Sequence, residues 1–390
     1  MKGFFQPSDV EKDKPIGLAP KCGACGLYKN CETPKMEPYG KGRRGVLVVG
    51  DAPGLQEDEQ GQPFVGKAGQ MLRRSLAGIG YDLGQDAWAA NALACHPTGN
   101  PTPETKQIEW CRPKLLGTLA KLRPRVVITL GRAPLVSILK RYWKDVDTLE
   151  RWVGWKIPFE QHWLCPTYHP SYLLRMHNEL MDRQFVNHLR QAFDIEEAAP
   201  MQPAWGEHIE ILYDEEEICE ALLEMHRESD WVAVDYETNC LKPQYPKAQI
   251  FSCAVSNGER TISYPWKGDA IMATGELLRR RKTRKIASNL KMEEKWTRKE
   301  FGFGVANWGW DTMIAAHCLD NRPHICSIKF QALVKLGVAS YNSHVDPYLS
   351  GRGWYNRIHH VDIRQLLLYG GMDAILEYKV AMMQREEMGY

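Results

Sequence analysis

Short runs of apolar, β-branched residues bounded by glycine alternate along this chain with longer stretches whose apolar positions recur every three or four residues. Runs of the first kind predict buried strands, and the helical period predicts helices with one face on a core. In the first half, strands are expected at 46–49, 87–94, 126–130 and 162–166, and helices at 69–77, 105–122, 133–140 and 182–193. This alternation builds a parallel sheet with helices on both faces. Residues 1–20 have no clear period and read as an irregular arm. A linker is expected at 196–208, where Ala198-Ala199-Pro200 and Gln202-Pro203 interrupt all periodicity. A second α/β pattern follows, with strands at 209–212, 231–236 and 250–255 and helices at 215–227, 288–301, 312–319 and 363–384. The expected domains are therefore 21–195 and 209–390.

Composition changes this picture in three places. The chain of 390 residues, 44% hydrophobic and 25% charged, suits two soluble globular domains. No apolar run approaches the roughly 18 residues that span a bilayer, so the expected setting is cytoplasmic with no membrane partner. Eleven cysteines in such a setting point to metal or cluster ligation in preference to disulfides. A net charge of +2 does not announce nucleic acid, and the basic runs 41–44 and 279–285 read equally well as solvated faces.

Candidate chemistry gathers where strands end. Gly50-Asp51-Ala52-Pro53-Gly54 follows the strand at 46–49 and continues through Glu57-Asp58 to Pro63-Phe64-Val65-Gly66. Ligands of open α/β sheets bind at such carboxyl ends, and glycines let backbone approach them. Asn91 lies at the end of the second strand and His169-Pro170-Ser171 follows the last, so Asp51, Phe64, Asn91 and His169 are expected in one crevice. Cys22 and Cys25, two residues apart, join Cys95 and Cys111 as four thiolates able to hold an iron-sulfur cluster or zinc. Spacing alone leaves both open, with Cys31 a substitute ligand, whereas Cys165 reads as a core residue.

In the second half, Asp235 and Glu237 stand at i and i+2 of a strand, on one face, a seat for hard divalent cations. Asn289-Leu290-Lys291-Met292-Glu293 offers a third carboxylate. Tyr369 and Asp373 share one helix face, one turn apart.

Over residues 20–193 the first set of motifs resembles the family 4 uracil-DNA glycosylases. The resemblance implies an α/β/α parallel-sheet glycosylase domain with a [4Fe-4S] cluster on Cys22, Cys25, Cys95 and Cys111. It implies that a uracil nucleotide is flipped out of DNA. Phe64 would stack on the base, and the Asn91 amide would donate to O4 and accept from N3–H. His169 would stabilise charge on O2, and Asp51 would orient water or balance the sugar cation. Ala52, Glu57, Ser171 and Arg175 complete the implied substrate contacts, with Leu173, Leu174 and Arg175 to wedge into the gap or hold the backbone. The family usually carries Glu where Asp51 stands, which shortens the reach to water. The Arg- and His-rich loop of some relatives is replaced by Gly99-Asn100-Pro101-Thr102-Pro103.

Residues 209–390 resemble the proofreading 3'-5' exonuclease domains of family A DNA polymerases, an α/β domain on the ribonuclease H-like fold. Asp311-Thr312-Met313 and Ser327-Ile328-Lys329 fit the same pattern. The resemblance implies hydrolysis with two Mg2+ or Mn2+ ions on Asp235, Glu237, Glu293 and Asp373, and water oriented by Tyr369. The third carboxylate is normally Asp, and Glu293 predicts an altered metal preference. Some bacteriophage polymerases resemble this order of domains. Asp373 lies 17 residues from the last one given, so a separately encoded family A polymerase is an expected partner, in the host cytoplasm if the source is viral. The expected function is uracil excision and 3'-5' trimming of single-stranded or uracil-containing DNA, in replication or repair. Two other readings stay open: a first domain that binds uracil or DNA without cutting, and an accessory subunit weak at both sites.

Overall fold

The run Val46-Leu47-Val48-Val49 has no polar side chain, and in the computed structural model it forms β1 (Val46–Gly50), buried along its whole length. The structure describes residues 19–146, 148–350 and 354–390, so nearly all of the arm expected at 1–20 lies outside the described residues. The chain divides into two compact units, one ending at Met201 and the other running from Gln202 to Tyr390.

In the first unit β1 pairs in parallel with β2 (Ala87–Asn91) on one side and β3 (Val126–Leu130) on the other. Beyond β3 come β5 (His162–Thr167), also parallel, and the antiparallel edge strand β4 (Ile157–Phe159). The order β2-β1-β3-β5-β4 means that the chain steps from β1 to β2 and then back across β1 to β3. That reversal opens a crevice outside the carboxyl ends of β1 and β3. The helices Lys67–Ala77 and Glu179–Phe193 bury Leu72, Leu76, Phe185 and Leu189 against Val46 and Val48 of the sheet. Two expectations are corrected. β2 stops at Asn91, not 94, although the Ala92 and Leu93 N–H groups still donate to Gly50 and Asp51 at 2.8 and 3.0 Å. β4 escaped notice because it has three residues with proline at its centre, a composition tolerated only on an edge.

The second unit holds the meander β7 (Trp231–Thr238), β8 (Ile250–Ser256) and β9 (Thr261–Pro265), all antiparallel. β10 (Arg284–Ala287) joins β7 in parallel, β11 (Trp308–Asp311) joins β10, and β6 (Ile209–Ile211) closes the far edge beside β9. A three-stranded meander extended by two parallel strands is the ribonuclease H-like arrangement. β9, β10, β11 and the helices Asp269–Arg279 and Ile328–Leu336 were not anticipated. β10 overlaps the basic run 279–285 at Arg284 and Lys285. Arg279, Arg281, Lys282 and Arg284 of that run are exposed, whereas Lys285 is fully buried, and its ammonium donates to the carbonyls of Arg280 and Thr283, the latter at 2.9 Å. Burial, followed by Arg280, pushes its pKa down to about 8.

The helix Ile363–Glu387 packs across β7, β8 and β9 and is buried continuously from Leu366 to Glu377. Gly370 and Gly371 permit this approach. A Cβ on Gly371 would stand 2.4 Å from Ile209 Cγ2, and one on Gly370 3.4 Å from Glu237 Cγ. In an open helix, Gly→Ala adds about 0.5–1 kcal/mol of stability. Here the overpacking cost of about 1–3 kcal/mol dominates, so Gly371→Ala is expected to lower the urea midpoint. A raised midpoint would show that Ile209 yields freely.

Candidate functional site

Asp51 leaves β1 directly, and its Oδ1 accepts the Ala133 N–H at 3.0 Å in the first turn of the helix Arg132–Leu139 after β3. Gly131 (φ +89°) separates them from His169. A Cβ there would lie 3.2 Å from both Asp51 carboxylate oxygens and 3.1 Å from the Cβ of His169. Glycine at this one position lets the loops after β1, β3 and β5 close on a single crevice.

His169 caps the helix Pro170–Met176. Its Nδ1 accepts the Ser171 N–H at 3.1 Å and lies 2.7 Å from Ser171 Oγ. A nitrogen that accepts an amide proton carries none, so the neutral ring holds its proton on Nε2. Burial, opposed in part by Asp51, pushes the imidazole pKa below its ordinary value and favours that neutral form. Burial also pushes the Asp51 carboxyl up, against the pull of His169 and the Ala133 N–H.

The other wall is built on Gly50, which pairs with Asn91 across the β1–β2 ladder. A Cβ on Gly50 would stand 2.7 Å from Asn91 Oδ1 and 2.8 Å from Phe64 Cζ. Phe64 has φ +59°, an uncommon conformation for an aromatic residue. The Phe64 carbonyl accepts from Arg73 Nε at 3.1 Å, and Gly69 packs directly on its backbone. The surroundings thus impose a backbone strain of the kind that collects at ligand sites. Asp51, Phe64, Asn91 and His169 come to one crevice.

Cys22, Cys25, Cys95 and Cys111 line one cavity with Leu27 and Trp110. Lys35 N–H donates to Cys95 Sγ at 3.3 Å and Ala94 N–H to Cys111 Sγ at 3.4 Å. Four thiols around one cavity fit an iron-sulfur cluster whose irons stand between the thiolates.

In the second unit Val232, Val234 and Tyr236 of β7 enter a core, so Asp235 and Glu237 face the opposite side. There the helix Ile363–Glu387 delivers Asp373, and one oxygen from each of the three carboxylates lies within 4.8 Å of the others. Lys329, in the first turn of Ile328–Leu336, donates to Tyr369 Oη at 2.8 Å and to Asp373 Oδ2 at 3.2 Å. The Tyr341 hydroxyl donates to Asp373 Oδ1. Burial, then Asp373, pushes the Asp235 carboxyl up to about 7, and burial with Asp235 raises Glu237. Asp235, Glu293 and Glu377 each keep a buried oxygen with no hydrogen-bond partner. Buried carboxylates in this state call for a cation, and the donor set fits hard divalent ions.

Residues 37–193 match the uracil DNA glycosylase superfamily and 209–384 a 3'-5' exonuclease family. A type-4 uracil-DNA glycosylase of Pyrobaculum aerophilum is 36% identical over an alignment of 161 residues that covers 38% of this chain and 82% of that protein. The chain belongs to the type-4 uracil-DNA glycosylase family. A type-4 relative from Thermotoga maritima is 32% identical over 180 residues, 44% of this chain and 88% of its own length. Among solved structures, Brucella melitensis NrnC bound to pGG overlaps 42% of this chain and 76% of its own, at 17% identity and a TM-score of 0.34. This type-4 glycosylase is thus fused to a 3'-5' exonuclease domain, a combination for DNA processing. No helix among the described residues is long and apolar enough to cross a membrane.

Within the glycosylase unit, three residues stand differently from expectation. Glu57, expected at substrate, spends its carboxylate on the backbone, accepting the Gly54, Val65 and Gly66 N–H groups at 3.1, 2.9 and 2.7 Å. It braces the turn that carries Phe64. Ser171 engages His169 Nδ1 and so positions the ring. Leu173 is 2% exposed in the core and cannot serve as a wedge, whereas Arg175 is exposed and Ala52 half-buried in the turn after Asp51. Cys165 packs in the core. Two residues there were missed. Buried His96 ties the second loop to the first through Nδ1 and the Pro53 carbonyl, 2.9 Å apart. Asp58 accepts the Glu32 and Thr33 N–H groups, both at 2.9 Å, and so anchors the cysteine arm.

In the exonuclease domain of this glycosylase, Glu293 falls outside the group of three carboxylates. Its approach is set by Asp311, which accepts the Asn289 and Leu290 N–H groups at 3.1 and 3.0 Å and so fixes the turn before the helix Lys291–Phe301. Lys329, Tyr341 and Glu377 were not assigned from the sequence, although Glu377 follows Asp373 at i+4 and was legible by helical spacing.

Proposed function

We propose that the first unit excises uracil from DNA and that the second shortens DNA from its 3' end with two divalent cations. The observation that carries the first part is the Nε2–H of a neutral His169, set across Gly131 from Asp51. A flipped uracil stacked on Phe64 would present N3–H and O4 to the Asn91 amide, a pattern that cytosine leaves unpaired. His169 Nε2–H would donate to O2 as negative charge develops on the departing base, and Asp51 would face the positive sugar or orient water. Cys22, Cys25, Cys95 and Cys111 would hold a [4Fe-4S] cluster that ties the amino-terminal arm to the segment after β2.

In the second unit Asp235, Glu237 and Asp373 would hold Mg2+ or Mn2+, with Glu293 close by. Ions bound there would activate water and offset charge on the leaving 3' oxygen. Tyr369 accepts a hydrogen bond from Lys329, which leaves its own hydroxyl proton free to orient the attacking water. Genome copying or repair is the setting this pairing of activities suits.

A uracil-containing oligonucleotide incubated with the protein in EDTA, so that the nuclease is silent, is expected to break at uracil on heating in alkali. Protein prepared anaerobically is expected to carry about four irons per chain. A second reading, uracil binding without excision, draws on Asp51, which is shorter than the usual Glu and already holds the Ala133 N–H. A retained but intact strand after alkali would establish that reading and refute excision.

A further inference from the structure

Tyr369, Asp373 and Glu377 recur every four residues along the helix Ile363–Glu387, so one stripe carries a phenol and two carboxylates into the same buried site. Glu377 is 3% exposed and its Oε2 has no hydrogen-bond partner. Asp235, Glu293 and Asp373 are the acidic groups that act on it. The site therefore buries a fifth carboxylate beside the four implied for the nuclease.

Lys329 donates to both carboxylate oxygens of Asp373, at 3.4 and 3.2 Å, and to Tyr369 Oη at 2.8 Å. Lys329 also acts on Asp235, Glu237 and Glu377 alike. Buried charges persist when they are paired. Two divalent ions neutralise four carboxylates, and a fifth leaves one negative charge that a fixed ammonium matches.

We propose that Glu377 and Lys329 form a compensating pair that sets how tightly this site holds its divalent cations. Glu377 deepens the negative potential that draws the ions in. Lys329 opposes it, and in the ion-free protein it holds Asp373 and the Tyr369 hydroxyl in place as a positioning residue. The pairing rests on the nuclease reading of the second unit.

Mn2+ titration calorimetry on the full-length, cluster-loaded protein tests it, with binding at this site taken as the difference from Asp235→Asn. Glu377→Gln is expected to weaken Mn2+ at least about tenfold, and Lys329→Met to tighten it by a similar factor. Lys329→Met is also expected to lower the melting temperature of the ion-free protein. The double variant should return to within about threefold of the parent affinity, because the two changes cancel in charge. Lys329→Arg keeps the charge and should bind like the parent, which separates loss of charge from loss of fold. Unchanged affinity in Glu377→Gln, or a double variant whose effects do not cancel, overturns the pairing. Failure of the nuclease reading looks different: the parent and Asp235→Asn would then bind Mn2+ alike.

Discussion

Asp235→Asn is expected to slow 3'-end trimming by at least about a thousandfold, the scale of removing a group that supports metal-assisted hydrolysis, while uracil excision in the other unit stays intact. Asn keeps the shape of Asp, so the change removes charge with little disturbance to packing. The Asp235 ligand oxygen sits within 4.8 Å of those of Glu237 and Asp373, and a neutral amide holds a divalent cation far less well than a carboxylate. The same substitution is expected to raise the melting temperature of the ion-free protein. It deletes one of several carboxylates whose burial, and then mutual repulsion, hold Asp235 and Glu237 above their ordinary pKa values. Opposite signs for activity and stability distinguish a ligand site from a structural cluster. The assay is a timed gel of a uracil-free single strand in Mg2+ or Mn2+, and unchanged trimming would remove this constellation from the chemistry.

His169→Ala is expected to lower the rate of uracil release by about a hundred- to a thousandfold, the usual cost of one preorganised donor at a developing oxyanion. The pH profile carries more information. His169 has a depressed pKa, so the neutral donor prevails at neutral pH and above, and protonation of Nδ1 on the acid side breaks its bond from the Ser171 N–H. Asp51 has a raised pKa and loses its charge on the same acid side. Both effects share a sign. Single-turnover release should be level from neutral pH upward and fall as pH drops. A rate that rises with acidity would identify the imidazolium as the working form and reject the Nε2–H tautomer.

Much of the candidate chemistry was legible along the chain because it lies at the ends of strongly apolar strands. Asp51 follows β1 and Asp235 with Glu237 ends β7, and a strand's alternation predicts which face each side chain takes. Residues whose roles depend on distant partners were not legible in the same way. Glu57 resembles a substrate contact until its three backbone donors are seen, and Leu173 resembles a wedge until its burial is known. The unanticipated strands have a related cause. β10 reads as a basic run and β11 as Trp-Gly-Trp-Asp, and neither has enough apolar residues in a regular order to declare itself. Tertiary packing buries Lys285 by giving its ammonium carbonyl partners.

By itself the sequence determined that two α/β domains stand in tandem and which loops carry polar groups, since strand and helix periods are local properties. Only the tertiary structure decided that Gly131 brings Asp51 to His169, which nitrogen of that imidazole bears the proton, and that Lys329 and Glu377 share a site with Asp373. Those outcomes depend on distances between segments far apart in the chain, and no local pattern encodes such distances.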